Sequence, residues 1–222
     1  MNRTSRLDAV GRIVTSGVVA IVRLEDARAL GRVATAIKNG GVDVIEFTMT
    51  TPGALDIISH CANEFGDRVL LGAGTVLDAE TARAAILAGA RFLVSPTFNP
   101  RVVTTAHRYD VAVLPGVLSP TEMITAWEQG ADLLKVFPAT ALGPQYLKDV
   151  LAPLPHLRLV PVGGVSLENT EAFIRAGAVA VAVGSNLVDK QAVKEGRWEV
   201  LTELARRFTQ TVQDARAAAR RS

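Results

Sequence analysis

Lys135 interrupts an apolar run, Ala131–Ala139, that otherwise predicts a buried β-strand. Side chains alternate between the two faces of a strand, so Leu133, Lys135 and Phe137 share one face. A buried ammonium must be paired or must lose its proton. A free lysine has a pKa of about 10.4, and burial can lower that pKa by up to about 3–5 pH units. A neutral amine of this kind is a nucleophile suited to Schiff-base chemistry. The alternative is a lysine at a strand end whose charged head reaches water.

Glu46 interrupts a second apolar run, Val44–Thr48, where alternation places it on the same face as Thr48. If both strands belong to one barrel, Glu46 and Lys135 can face a common cavity. A carboxyl group beside an amine nucleophile is suited to proton transfer. The alternative is a structural buried ion pair between the two side chains.

Strands and helices that could position these residues alternate along the whole chain. Helical stretches, most of them followed by glycine, separate short apolar runs, and this alternation favours a parallel sheet. The predicted strands are Val18–Val22, Val42–Thr48, Arg68–Gly72, Arg91–Ser95, Val111–Pro115, Asp132–Phe137, Leu157–Val162 and Val179–Val183. The predicted helices are Arg6–Thr15, Glu25–Asn39, Pro52–Glu64, Ala79–Leu87, Pro100–Tyr109, Pro120–Gln129, Tyr146–Leu151, Leu167–Arg175 and Trp198–Ala219.

Eight strand–helix units predict an α/β fold, a (β/α)8 barrel with an extra helix in front. An open doubly wound sheet is the alternative. No linker or change of composition marks a boundary, so residues 1–222 are expected to form a single barrel domain.

Active sites of such barrels lie at the carboxyl ends of the strands. The predicted ends carry Arg23, Glu46 with Thr48 and Thr50, Gly72–Thr75, Ser95–Thr97, Lys135 with Phe137, Gly163–Gly164, and Gly184–Ser185. Loops after the last two strands commonly bind phosphate through backbone N–H groups, which glycines leave accessible. Gly163, Gly164, Gly184 and Ser185 are therefore candidate phosphate ligands.

Bulk properties argue against several other classes of protein. The net charge of +2 provides no dedicated nucleic-acid surface, and no apolar segment approaches a membrane span. Cys61 is the single cysteine, and the three histidines lack metal-ligand spacing, so we expect neither a disulfide nor a metal site. The amino terminus does not read as a secretory signal, and a cytoplasmic location is the default.

Together these residues resemble the 2-keto-3-deoxy-6-phosphogluconate (KDPG) and 4-hydroxy-2-oxoglutarate (KHG) aldolase family. The resemblance extends from about Arg6 to Leu187. It rests on the phrases Ile45-Glu46-Phe47-Thr48, Gly72-Ala73-Gly74-Thr75-Val76, Val94-Ser95-Pro96, Pro115-Gly116, Leu134-Lys135-Val136-Phe137-Pro138-Ala139 and Pro161-Val162-Gly163-Gly164.

The resemblance implies a class I aldolase that needs no metal or other cofactor, because Lys135 forms an imine with the C2 carbonyl of a 2-keto acid phosphate. It implies that Glu46 shuttles protons and that Thr75, Pro96 and Phe137 shape the pyruvyl pocket. It also implies phosphate binding by the two glycine loops, and a homotrimer.

Two departures from the family pattern affect the substrate. Many members have an arginine for the substrate carboxylate where this chain has Thr50, and many have threonine where it has Val162. Arg23 could supply the missing charge, as in the related phosphogalactonate aldolases. Gluconate, galactonate and hydroxy-oxoglutarate substrates therefore all remain open.

Two other functions are compatible with these residues. A sugar-phosphate isomerase or epimerase would use Glu46 as a base and would not need a covalent lysine. A phosphate-ligand binder without catalysis would keep Glu46 and Lys135 as a structural pair, since fold alone does not fix function.

Overall fold

A computed structural model describes residues 4–24 and 29–220 of the chain. The described strands are β1 Val18–Val22, β2 Val44–Thr48, β3 Leu70–Gly74, β4 Phe92–Val94, β5 Ala112–Leu114, β6 Gly116–Val117, β7 Leu134–Val136, β8 Leu159–Pro161 and β9 Val181–Val183. The described helices are α1 Arg6–Ser16, α2 Leu30–Asn39, α3 Ala54–Phe65, α4 Ala79–Ala88, α5 Pro100–Arg108, α6 Pro120–Glu128, α7 Gly143–Leu151, α8 Leu167–Arg175, α9 Lys190–Glu195 and α10 Trp198–Ala219.

The strands form a curled parallel sheet in an α/β fold. One sheet has the order β5-β4-β3-β2-β1-β9, and a second has the order β6-β7-β8. β5 and β6 are consecutive pieces of chain divided at Pro115, which has no N–H to continue the ladder. At the other edge, an isolated parallel bridge joins Val162 to Ala182. The strands follow one another without the reversal of order that a doubly wound sheet requires.

Several element boundaries differ from those predicted. The third strand begins at Leu70 rather than Arg68, because Gly66–Arg68 forms a turn of 3-10 helix. The predicted helix Glu25–Asn39 is described from Leu30, and residues 25–28 lie outside the described part. Helix α9 was not predicted; at six residues it is too short to show a helical period.

The core has two layers. The larger layer lies between the sheet and its surrounding helices. The smaller layer lies on the inner face of the curled sheet, with contributions from eight strand regions that include Val19, Val44, Leu70 and Phe92. Side chains that alternate along short strands supply both layers, as expected for a parallel sheet covered on both faces.

Helix α1 covers the end of the sheet at which the strands begin. Its Ala9, Val10 and Ile13 pack into the inner layer of the core. The Ser5 side chain and Asp8 form a capping box that fixes the start of the helix. Arg12 donates to Asp43, just before β2, at 2.8 Å. The inner core is thus closed at this end.

Contacts with α1 also tie the two ends of the chain together. Arg216 of α10 donates to Thr15 O at 2.9 Å and to Val14 O at 2.6 Å. The same guanidinium donates to Val179 O at 2.7 Å, just before β9.

None of the helices in the described part of the chain combines the length and the hydrophobicity that a membrane span requires.

We predict that Ile13→Ala lowers the free energy of unfolding by about 2–5 kcal/mol, because it leaves a cavity in the inner core. Ile13 is fully buried, whereas Leu7 in the same helix is 70% exposed. Leu7→Ala is therefore the matched control and should change stability by less than about 0.5 kcal/mol. Urea unfolding of both variants measures the difference, and equal effects would contradict the role assigned to α1.

Candidate active site

The carboxyl ends of the strands surround a cavity of about 460 Å³. This cavity brings together ten of the eleven predicted site residues: Arg23, Glu46, Thr75, Pro96, Lys135, Phe137, Gly163, Gly164, Gly184 and Ser185. Thr50 is the exception. Its hydroxyl donates to Thr48 Oγ1 at 3.3 Å, within a cluster of threonines after β2.

Lys135 lines this cavity and is held in place by the strands on both sides. On β7 it is in register with Gly116 of β6 and Val160 of β8. Only 6% of the residue is exposed. Burial lowers the pKa of Lys135, the charge of Glu46 opposes that shift, and Arg23 adds to it. The ammonium nitrogen lies 4.7 Å from the centre of the Phe137 ring. Burial, the largest of these effects, favours the neutral, nucleophilic form of the amine, whereas Glu46 and the Phe137 ring favour the charged form.

Glu46 faces the same cavity from β2, in register with Ile21 of β1 and Gly72 of β3. It is 2% exposed, and its Oε2 is buried without a hydrogen-bond partner in the described structure. Burial raises the pKa of Glu46, while Lys135 and Arg23 oppose the shift. A carboxyl group in these surroundings can exist in either protonation state, as proton transfer requires.

The opposite charges of Glu46 and Lys135 do not form a salt bridge among the described residues. Each side chain nevertheless shifts the pKa of the other. A closed structural pair would satisfy both charges with each other, whereas here one carboxylate oxygen has no partner in the described structure. The arrangement therefore leaves both groups available to a bound molecule.

Gly74 provides the space that the Glu46 side chain occupies. A Cβ atom at position 74 would lie only 1.6 Å from Glu46 Oε1. Next to it, Thr75 has φ of 60°, a left-handed conformation that is unusual for a β-branched residue. Such conformations cost about 1–3 kcal/mol and cluster at functional sites. The turn after β3 therefore shapes the cavity at a cost in local stability.

Pro96 lies against the strand that neighbours Lys135. A Cβ atom at Gly116 would come within 2.2 Å of the Pro96 backbone, so only glycine permits this approach. Ser95 is buried and donates to Val76 O at 2.6 Å, which fixes the loop after β4. The cavity wall at Thr75 and Pro96 is thus held by backbone packing.

The outer part of the cavity includes Asn186 and Lys190, which the sequence did not single out. Both follow β9, where the sequence prediction stopped at Ser185. Asn186 Nδ2 donates to Val165 O at 2.7 Å and thereby joins the loops after β8 and β9. An asparagine that bridges two loops far apart in sequence gives no local sequence signal.

Cys61 and the three histidines do not line this cavity. Cys61 lies beside a larger cavity of about 700 Å³ bordered by α2, α3 and α10, and burial raises the pKa of its thiol to about 11. That thiol is protonated near neutral pH and is a poor nucleophile. In residues 4–24 and 29–220, no group of three or more His, Cys, Asp or Glu side chains could hold a metal ion.

Sequence comparisons with known proteins point to one family. A family model described as KDPG and KHG aldolase matches residues 10–204. The 2-dehydro-3-deoxy-phosphogluconate aldolase of Treponema pallidum (strain Nichols) is 39% identical over 206 residues, 92% of this chain and 96% of that protein. The 2-dehydro-3-deoxy-6-phosphogalactonate aldolase of Escherichia coli (strain K12) is 37% identical over 172 residues, 77% of this chain and 83% of that protein.

A solved structure is also similar along most of its length. It is a KDPG aldolase from Legionella pneumophila with pyruvate captured at low pH as a covalent carbinolamine intermediate. The TM-score is 0.83 at 29% identity, with 89% of this chain and 96% of that chain covered.

We predict opposite effects of two neutralising substitutions on the Lys135 amine. Glu46→Gln removes the charge that raises the pKa of Lys135, so that pKa should fall further. Arg23→Gln removes a charge that lowers the pKa of Lys135, so that pKa should rise. The pH dependence of carbamylation by cyanate, mapped to Lys135 by mass spectrometry, measures both changes. Exposed Lys194 is the internal control. Shifts of the same sign in both variants would disprove the assigned electrostatics.

Proposed function

The chain belongs to the KDPG and KHG aldolase family, and we propose that it is a class I aldolase that cleaves KDPG into pyruvate and glyceraldehyde 3-phosphate. The observation that carries this proposal is the buried Lys135, whose pKa is lowered in a cavity shared with Glu46. The covalent carbinolamine of pyruvate in the Legionella relative supports the same chemistry.

The fold proposed for this enzyme is one closed (β/α)8 barrel domain over residues 1–222, with α1 as the extra helix. Two observations support closure. β5 and β6 are joined through Pro115, so together they act as one strand position between β4 and β7. The Val162–Ala182 bridge then links β8 to β9, which already pairs with β1.

In the first step, the neutral Lys135 amine attacks the C2 carbonyl of the substrate to form a carbinolamine. Glu46, in its protonated form, donates a proton to the C2 hydroxyl. Water leaves, and a protonated imine forms between C2 and Lys135. The raised pKa of Glu46 makes it able to donate this proton, and the lowered pKa of Lys135 supplies the free amine.

In the second step, the carboxylate of Glu46 accepts the C4 hydroxyl proton, directly or through a water molecule. The electrons of the C3–C4 bond move into the protonated imine, and the aldehyde departs. The resulting enamine takes a proton at C3 from the Glu46 carboxyl group. Hydrolysis of the imine then releases pyruvate, regenerates the Lys135 amine and returns a proton to Glu46. The covalent imine provides the electron sink, so this proposal needs no metal or other cofactor.

Thr75, Pro96 and Phe137 are proposed to shape the space for the pyruvyl group, and Gly163, Gly164, Gly184 and Ser185 to hold the phosphate. All seven line the same cavity as Lys135. Glycines at these positions allow the backbone N–H groups to approach an anion closely.

The proposal predicts that borohydride reduction in the presence of pyruvate attaches a reduced pyruvyl group to Lys135. Peptide mass mapping identifies the modified residue. Lys135→Ala should lose both the adduct and aldolase activity, whereas Lys194→Ala should lose neither. An intact protein mass that is unchanged after this treatment would exclude the imine. Activity that survives in Lys135→Ala would favour an isomerase or epimerase that uses Glu46 alone.

Arg23 is proposed to bind the substrate carboxylate in place of the arginine absent at Thr50. The carboxylate is attached to C2, the atom that Lys135 attacks, so its partner must lie near Lys135. Arg23 meets that condition, because it lines the cavity and shifts the pKa of Lys135. Thr50 does not line the cavity. A 2-keto-3-deoxy-6-phosphogalactonate substrate is the second candidate, favoured by the relative that is 37% identical; KHG is a third.

We predict that Arg23→Ala raises KM by a factor that corresponds to one charge-assisted hydrogen bond, about 1.5–3 kcal/mol. Pyruvate release measured with KDPG, its galactonate epimer and KHG gives KM for each substrate and identifies the preferred one. Because all three substrates contain the same 2-keto acid group, the increase should be similar for all of them. An unchanged KM would exclude Arg23 as the carboxylate partner.

The assembly of the enzyme is proposed from the family resemblance, and its location from the sequence. A homotrimer is expected, and light scattering coupled to size-exclusion chromatography would determine the number of subunits. A cytoplasmic location is expected, with a small-molecule 2-keto acid phosphate as partner rather than nucleic acid or membrane.

A further inference from the structure

Two loops form the outer end of the active-site cavity as one connected unit. The loop after β8 contains Gly164 and Val165, and the loop after β9 contains Gly184 and Asn186. The side chain of Asn186 joins them through its 2.7 Å hydrogen bond to Val165 O. Within the second loop, Leu187 N and Val188 N donate to Gly184 O at 2.9 and 2.8 Å. The relative position of the two loops is therefore fixed.

The backbone of these loops offers unpaired donors to the cavity. Asn169 Nδ2 donates to Gly164 O at 2.8 Å, so the carbonyls of Gly164 and Val165 both have partners. By contrast, the N–H groups of Gly164 and Ser185 make no hydrogen bond within the described chain. Unpaired N–H groups beside a cavity favour an anion.

Gly184 leaves open space at this end. A Cβ atom at this position would meet no atom within 4 Å, and its backbone conformation does not require glycine. The fold would therefore tolerate a side chain here. The space is instead left to the cavity, which Gly184 lines.

Lys190 is the cationic side chain that lines this outer end in the described structure. The other lining cations, Arg23 and Lys135, lie close enough to Glu46 to shift its pKa, whereas Lys190 does not. Among the described residues, Glu46 is the only acidic one that lines the cavity, and none lines its outer end. The neighbouring Asp189 is occupied in capping α9, where its side chain accepts from Ala192 N at 2.6 Å. No described side chain forms an ion pair with Lys190, so its charge is available to a ligand.

We infer that Lys190 is a specificity-determining residue that pairs with the terminal dianion of a phosphorylated substrate. This inference rests on the proposed function, which places the reacting carbonyl at Lys135 and the far end of the substrate at these loops. A dianionic phosphate gains an ion pair with Lys190 that a terminal hydroxyl group cannot form. The enzyme should therefore distinguish KDPG from 2-keto-3-deoxygluconate, which lacks the phosphate.

The test is steady-state pyruvate release from KDPG and from 2-keto-3-deoxygluconate. Lys190→Gln should raise KM for KDPG about tenfold, which corresponds to about 1.4 kcal/mol. It should leave kcat for KDPG and both constants for 2-keto-3-deoxygluconate nearly unchanged. In Lys190→Arg, KM for KDPG should lie close to the wild-type value. Lys194→Gln is the matched control, because it removes the same charge from an exposed position of the same helix.

An unchanged KM for KDPG in Lys190→Gln would overturn the inference, as would an equal loss with both substrates. If the wild-type protein forms no borohydride-trapped adduct and releases no pyruvate, the proposed aldolase function fails instead. In that case, titration of glyceraldehyde 3-phosphate followed by phosphorus NMR tests Lys190 without turnover. Weaker binding in Lys190→Gln than in Lys194→Gln supports its phosphate contact, and equal binding rejects it.

Discussion

The proposed active site depends on the burial of an amine and a carboxyl group in one cavity without a salt bridge between them. Burial disfavours the charged form of both groups, so it lowers the pKa of Lys135 and raises that of Glu46. The attraction between the two opposite charges opposes both pKa shifts, and the positive charge of Arg23 lowers both pKa values. A tight ion pair would stabilise both charges and remove the free amine and the available proton. Their placement on the two strands β2 and β7, without a salt bridge between them, is therefore a requirement of the proposed chemistry.

Small residues create the space in which this separation is possible. Gly74 makes room for the Glu46 carboxyl group, and Gly116 lets Pro96 approach the strand beside Lys135. Thr75 remains in a left-handed conformation that glycine would adopt more easily. We infer that threonine rather than glycine stands at position 75 because its side chain lines the cavity. The rigid inner core and α1, at the opposite end of the sheet, support this strained region without taking part in it.

Much of the fold and site was predictable because the signals were local. Lys135 and Glu46 conflict with the apolar strands around them, and that conflict is visible in the sequence alone. The glycine loops were found because barrel active sites lie at strand ends. Lys190 and Asn186 were missed because their importance comes from the path of α9 and from a bond to Val165, which no local pattern encodes. Thr50 was included because it follows β2 and occupies the position of the family arginine, but its hydroxyl bonds to Thr48 and it does not line the cavity.

The contacts that join the two ends of the chain have a consequence for its biosynthesis. Strand β1 pairs with β9, and Arg216 holds the carbonyl groups that end α1. Arg216 follows its partner Thr15 by 201 positions, so this whole stretch must be synthesised before the two can meet. Earlier strands can pair with their neighbours during translation, but β1 keeps an unpaired edge until then. Until β9 has been made, that edge of β1 in the nascent enzyme is thus open to chaperones or to wrong partners.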